Sequence, residues 1–211
     1  MYISWHGSFC IKIQAGDKTL VIDPLSPQTG VGPLKGAADV VALTNKNNPD
    51  MSYINGLTGD FTVLDTAGEY EVAGFGLHAM PWRDEAGTER TIQRWNIESM
   101  VLLHVGALNR ELTTQELSDL EKTDIHVLFL PIGGGSGLSL KQALALVTTI
   151  EPRILIPIHY HIPKFTGEKL DGLDVFAKEM GSDISQTEKR FNLKANKLPE
   201  EDMATVILSP V

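Results

Sequence analysis

The sequence predicts a layered α/β domain, with two sheets in the middle and helices outside. Three observations predict it. Strand-like runs crowd the first half of the chain, strands and helices alternate in the second, and no linker rich in Pro, Gly or Ser separates the halves. Low-complexity tracts and short repeats are absent, and 211 residues suffice for one sizeable domain spanning 1–211.

Each element has a local reason. "YISWHGSFCIKIQ" and "KTLVIDP" read as strands joined by "AGD", a hairpin turn. "DVVALT" is a short continuous apolar run, as in a strand covered on both faces. "FTVLD" and "YEVAGFGLHAMP" follow as strands, then "TIQRWNIESMVLLHVG" after the polar turn "RDEAGTER". "LTTQELSDLEK" is helical, with Thr113 and Glu116 spaced as a capping box. "HVLFLPI" is a buried strand. "SLKQALALVTTIEP" is the clearest helix: Ser139 and Gln142 form a second capping box and Pro152 stops it. "RILIPIHY" returns as a strand, "DGLDVFAKEMG" is a capped helix ending at Gly181, and "ATVILSP" closes the chain as a strand.

Composition excludes several function classes. Hydrophobic residues make up 42% and charged residues 21%, as in an ordinary soluble protein. No apolar stretch is long enough to span a membrane, and "MYISWHGSFC" lacks the basic start and apolar core of a signal peptide, so a cytoplasmic location is expected. Cys10 is the only cysteine, which rules out an internal disulfide and a Cys-rich zinc site. A formal charge of −9 repels phosphate backbones, so nucleic acid is not an expected partner. The densest basic segment, "EKRFNLKANK", reads as a solvated strand and turn.

The stretches "ISWHGSFCIKI", "LVIDP", "ADVVALT", "GEYEVAG", "LLHVGAL", "LTTQELSDL", "DIHVLFLPIGGG", "ALALVTTIEPRILIPIHY" and "KLDGLDVFAKEMG" lie in one order along nearly the whole chain. Together they resemble the metallo-β-lactamase fold, and most closely its branch of zinc-dependent hydrolases related to ascorbate-phosphate lactonase. The resemblance implies a four-layer αββα sandwich, with mixed sheets, helices outside and the site in loops at the sheet edges. It also implies a two-metal centre, and this chain departs from it position by position. Where the family reads His-x-His-x-Asp-His, the matching residues are Asn45, Asn47, Pro49 and Asp50. Arg83 matches a further histidine, Ala107 the bridging aspartate, and Ser8 a histidine near the site. His159 alone is retained.

Pro49 and Ala107 offer no ligand atom, and the amides of Asn45 and Asn47 are poor zinc ligands. The sequence therefore predicts that no metal or other cofactor is held and that two-metal hydrolysis is lost. A binding or scaffolding role follows, alone or in an oligomer like those of its lactonase-type relatives. Arg83 is expected to replace the lost metals electrostatically, neutralising Asp50 or Asp84. Two other readings stay open. One is a hydrolase using zinc or another divalent metal at a rearranged site on His159, Asp50 and His161. The other is a binder that grips a small anionic ligand through Arg83, with Trp82 stacking over it.

A metal-free hydrolase would need His159 as base and Ser8 or Cys10 as nucleophile. Against that, Ser8 suits a turn and Cys10 a buried strand position. Asn45, Asn47 and Asp50 suit magnesium or calcium, but equally a capped polar loop. Asp23 reads as a structural residue that hydrogen-bonds loop amides. "PIGGGSG" frees backbone amides for an anion ahead of a helix, although it lacks the Gly-Lys-Ser/Thr ending of a P-loop. His104 and His126 sit in apolar strands and are expected to be core or strand-end residues, and Trp5, Trp82 and Trp95 packing residues.

Overall fold

Apolar alternation lays down the first strands: β1 (Tyr2–Trp5), β2 (Ile11–Ala15), β3 (Lys18–Ile22), the two-residue β4 (Gly36–Ala37), β5 (Val40–Ala42), β6 (Leu57–Thr58) and β7 (Thr62–Leu64). Two hairpins follow, β8 (Gly68–Val72) with β9 (Phe75–Arg83), and β10 (Glu89–Ile97) with β11 (Met100–His104). The remainder alternates: α1 (Thr114–Glu121), β12 (Val127–Pro131), α2 (Leu140–Ile150), β13 (Ile154–Ile158), α3 (Leu173–Met180), β14 (Phe191–Asn192) and β15 (Ala204–Thr205). The computed structural model describes residues 1–121, 123–181 and 183–211; Lys122, the last residue of the predicted first helix, lies outside them.

These strands form a six-stranded sheet, ordered β14-β1-β2-β3-β5-β7, and a seven-stranded sheet, ordered β15-β13-β12-β11-β10-β9-β8. Side chains alternate across the first sheet as a two-residue period requires. Ile11, Ile13, Leu20, Ile22, Val40 and Ala42 join the main core, which also holds the buried residues of the second sheet. Val21 and Val41 face the other way, into a smaller core with Cys10, Leu25, Leu34 and Leu57. The layer over that face is loop, with a 3₁₀ turn at Pro27–Thr29 and the short β4–β6 pair. β11, β12 and β13 run parallel and are buried throughout, hence their continuous apolar sequence. The α1 and α2 crossovers join them, as parallel pairing demands. Leu120, Ala143, Leu146, Val147 and Phe176 carry all three helices into the core.

Both capping boxes form. The Glu116 amide donates to Thr113 Oγ1 and the Thr113 amide to the Glu116 carboxylate; Ser139 and Gln142 do the same for α2. The α3 helix ends at a left-handed Gly181 as expected, but its N-cap is Gly172, with no side-chain cap. Three expectations need correction. "YISWHGSFCIKIQ" is two strands, because Gly7 and Ser8 turn the chain with φ of 95° and 43°. "TIQRWNIESMVLLHVG" folds back at Glu98 and Ser99, with φ of 49° and 63°. "ATVILSP" shrinks to β15 plus a bridge between Glu188 and Leu208, since β15 pairs β13 over two residues only.

The carboxyl ends of β3, β5, β12 and β13 and the β1–β2 turn converge, and the candidate site is built there, as is usual for open α/β sheets. No helix among the described residues is long and apolar enough to cross a membrane.

Candidate functional site

β13 delivers His159 to the site. The residue just past the strand takes φ 49°, and its fully buried ring stacks on Phe9 with centroids 3.9 Å apart. The β1–β2 turn delivers Ser8. Its carbonyl accepts from Trp5 Nε1 at 2.8 Å and from the His159 amide at 3.1 Å, which holds the strained turn in place. Its hydroxyl lies 3.0 Å from His159 Nδ1.

The far side of the imidazole meets a residue that sequence reasoning missed. Glu168 Oε1 lies 3.3 Å from His159 Nε2, an ion-pair approach in which Nε2 makes no aligned hydrogen bond. The same carboxylate accepts from the Ser136 amide and, at 2.8 Å, from the Ser136 hydroxyl. Burial pushes the Glu168 carboxyl up, but the close approach of His159 and the two hydrogen bonds from Ser136 outweigh it and hold the group below the usual range. The glycine loop thus does receive an anion, supplied by the chain itself. Gly135 has φ 63°, and a Cβ there would overlap the Glu168 carboxylate. No local motif marks Glu168, which lies 32 residues from Ser136.

A cavity of about 270 Å³ opens on this cluster, lined by Ser8, Phe9, Asp50, Met51, Phe165 and Glu168 among others. A larger one, about 640 Å³, lies between residues 149–153 and 199–203 and brings together no histidine, cysteine or serine.

Of the other candidates, Asp50 alone shares the cavity wall with Ser8. Asp50 accepts from Ser26 Oγ at 2.6 Å, and its amide donates to Asn48 Oδ1, so it belongs to the turn that the capped-loop reading expects. Asn47 and Pro49 are exposed, while Asn45 is buried with its Oδ1 unpartnered among the described residues. His161 is exposed and does not join His159, because the strand ends before either ring. Asp23 is fully buried, accepting from the Thr44 amide at 2.7 Å and the Thr44 hydroxyl at 2.6 Å, as a structural residue should. Cys10 is buried, and burial pushes its thiol far up, which removes it as a nucleophile.

The role given to Arg83 is overturned. Its side chain is 65% exposed and bonds the Gly87 carbonyl and the Glu89 carboxylate, away from the cavity. β9 alternates, and the outward position falls to Arg83 while Trp82 turns in. The inward cation is Arg90, one strand over. It pairs with Asp84 at 2.7 Å, donates to the Ala107 carbonyl at 3.3 Å, and lies 5.5 Å from the Trp82 ring centre. Arg110 approaches the same ring at 5.4 Å, so Trp82 stacks with the protein's own guanidiniums. The Thr88 amide, which donates to Asp84, and the Arg90 guanidinium beside it hold the Asp84 carboxyl below the usual range.

Against a two-metal centre, this donor set does not fit. Among the described residues, no three of His, Cys, Asp and Glu gather where they could hold an ion. A guanidinium sits on the Ala107 carbonyl, at the position matched to a bridging carboxylate, and would repel a dication there. The rearranged site on His159, Asp50 and His161 does not assemble either.

A six-stranded and a seven-stranded sheet, with crossover helices and a loop-built site at their ends, define a metallo-β-lactamase-fold protein. Residues 2–159 match the family described as Beta-lactamase superfamily domain, and the chain belongs to it. It is similar to a UPF0173 metal-dependent hydrolase of Lysinibacillus sphaericus, 24% identical over 76% of this chain and 86% of that one. A similarly named protein of Anoxybacillus flavithermus is 26% identical over the same shares. Among solved structures, a zinc-dependent hydrolase of the metallo-β-lactamase superfamily from Thermotoga maritima superposes with a TM-score of 0.77 at 24% identity, covering 98% of this chain and 97% of that one. A metallo hydrolase from Ignicoccus hospitalis gives 0.63 at 16% identity, covering 92% and 99%. Both likenesses establish the fold.

Proposed function

We propose that this chain is a family member that has left two-metal hydrolysis and keeps the old pocket for binding. One observation carries the reading: the positions matched to metal ligands hold amides, an imino acid, a methyl group and an arginine, with Asp50 and His159 alone keeping a ligand atom, and no three donors converge among the described residues. The retained His159 supports it as well. Both of its ring nitrogens are already faced by protein groups, Ser8 on one side and Glu168 on the other. A scaffolding role, in an oligomer or with a protein partner, is the companion expectation, and solution mass measurement followed by co-purification checks it.

The decisive experiment is elemental analysis of protein purified without chelator, paired with lactone and phosphodiester assays with and without added zinc or manganese. Substoichiometric metal and no metal-stimulated turnover are expected. One or two tightly held transition ions per chain, with turnover that EDTA removes, would overturn the proposal.

A further inference from the structure

We propose that Ser8 is the nucleophile of a metal-free acyl-transfer site, with His159 as its base, and that the site takes carboxylic esters with short acyl chains. This builds on the absence of a fitted metal centre and goes beyond it, because it assigns chemistry to the residues that remain.

Three observations point the same way. First, nucleophile and base are in contact: Ser8 Oγ and His159 Nδ1 are 3.0 Å apart, within the reach that proton transfer needs. Second, the ring is turned for the task. The Glu168 carboxylate at Nε2 favours the tautomer with its proton there, which leaves the Nδ1 lone pair facing the serine. Hydrogen bonds to Ser136 fix that carboxylate, and Phe9 stacks on the imidazole, so neither group is free to swing. Glu168 is a positioning residue here. Third, the serine, buried at 5% exposure, borders a cavity. It sits in a left-handed turn whose carbonyl is pinned twice, and it lines the cavity of about 270 Å³. Such strain concentrates at functional positions. A serine whose only task was to fill a turn would need neither an aligned imidazole nor a cavity wall.

The cavity sets the substrate class. Its volume is just below the usual range for ligand pockets, and Leu25, Met51 and Phe165 supply apolar walls beside the polar Asn48, Asp50 and Glu168, which suits a short acyl chain. The Phe9 amide, next after the nucleophile, makes no hydrogen bond among the described residues, leaving one backbone donor beside the reacting centre.

The steps balance without a co-reactant. Ser8 Oγ attacks the ester carbonyl while its proton passes to His159 Nδ1. The tetrahedral oxyanion then collapses, the C–O bond to the alcohol breaks, and the alcohol leaves with that proton. Water, deprotonated by His159, next attacks the acyl-serine. The Oγ–C bond breaks, the acid departs and Ser8 recovers its proton.

A short-chain alkyl fluorophosphonate tests this directly, since attack forms an Oγ–P bond and expels fluoride. The full chain is incubated with the probe in EDTA and analysed by intact mass and peptide mapping. One adduct per chain, on Ser8, is expected. Ser8→Ala removes the adduct, and because alanine also carries a Cβ the turn keeps its conformation. His159→Gln slows labelling at least about 10²-fold. Glu168→Gln slows it as well and removes the low-field imidazole N–H signal expected in the wild-type proton spectrum. No adduct on Ser8 of the folded wild type, or equal labelling of Ser8→Ala, overturns the proposal. Labelling of Ser8 that appears only after zinc is added overturns both this proposal and the metal-free reading, whereas no labelling in a metal-free protein overturns this one alone.

Discussion

Asp23 and His104 are buried titratable groups that pull stability in opposite directions with pH. Burial pushes the Asp23 carboxyl up to about 7, against the downward pull of its Thr44 hydrogen bonds. The unfolded carboxyl titrates near 4, so between about pH 4 and about 7 only the folded chain holds the proton. The contribution is complete below that window and lost as pH rises through it. In urea unfolding, wild type should therefore lose stability relative to Asp23→Asn from pH 4 to pH 7, by up to about 1.4 kcal/mol per pH unit. A difference that stays flat would refute the buried-acid account. His104 behaves conversely. Burial lowers it to about 4, and its Nδ1 accepts from the Gly106 amide while Nε2 lies 3.0 Å from the Phe9 carbonyl. Its contribution is present above about pH 6.5 and lost as pH falls through about 4. At this scale the sequence was legible where a role is local. Asp23 beside its loop and Asn45–Asp50 as turn residues follow from their neighbours in the chain. The choice between Arg83 and Arg90 does not, because it depends on which face of which strand meets the site.

At the scale of elements, caps and turns explain what could be read. The Ser139 box closes the N-terminus of α2 with two reciprocal bonds. Ser139→Ala should cost about 1 kcal/mol. For a chain of this size that lowers Tm by roughly 2–4 °C, and a calorimetric scan at fixed pH checks it; an unchanged Tm would mean that the box adds nothing. Both helices with boxes were legible because four consecutive residues contain the whole signal. The two strand breaks were not. Glu98 and Ser99 take positive φ without glycine or asparagine to announce it, and at Gly7–Ser8 the glycine does not reveal that the serine after it is left-handed too; tertiary contacts hold Ser8 there. For Ser8 those contacts come from Trp5 and from His159, the latter 151 residues away.

At the scale of the whole molecule, the buried residues of both sheets pack into one shared core. A protein that held structural or catalytic zinc would gain stability from it by mass action. This one should show the same Tm in EDTA as in excess zinc, within a degree or so, and a rise of several degrees with zinc would count against the donor analysis. The sequence by itself determined the layered α/β class, the order of strands and helices and the absence of histidine from the Asn45–Asp50 loop, because each is written in local pattern or residue identity. Only the tertiary structure decided what surrounds the site: Arg90 at the Ala107 carbonyl, and Glu168 and Ser8 on either side of His159. Side chains from distant segments meet there through sheet pairing and loop paths, and no spacing along the chain encodes those meetings.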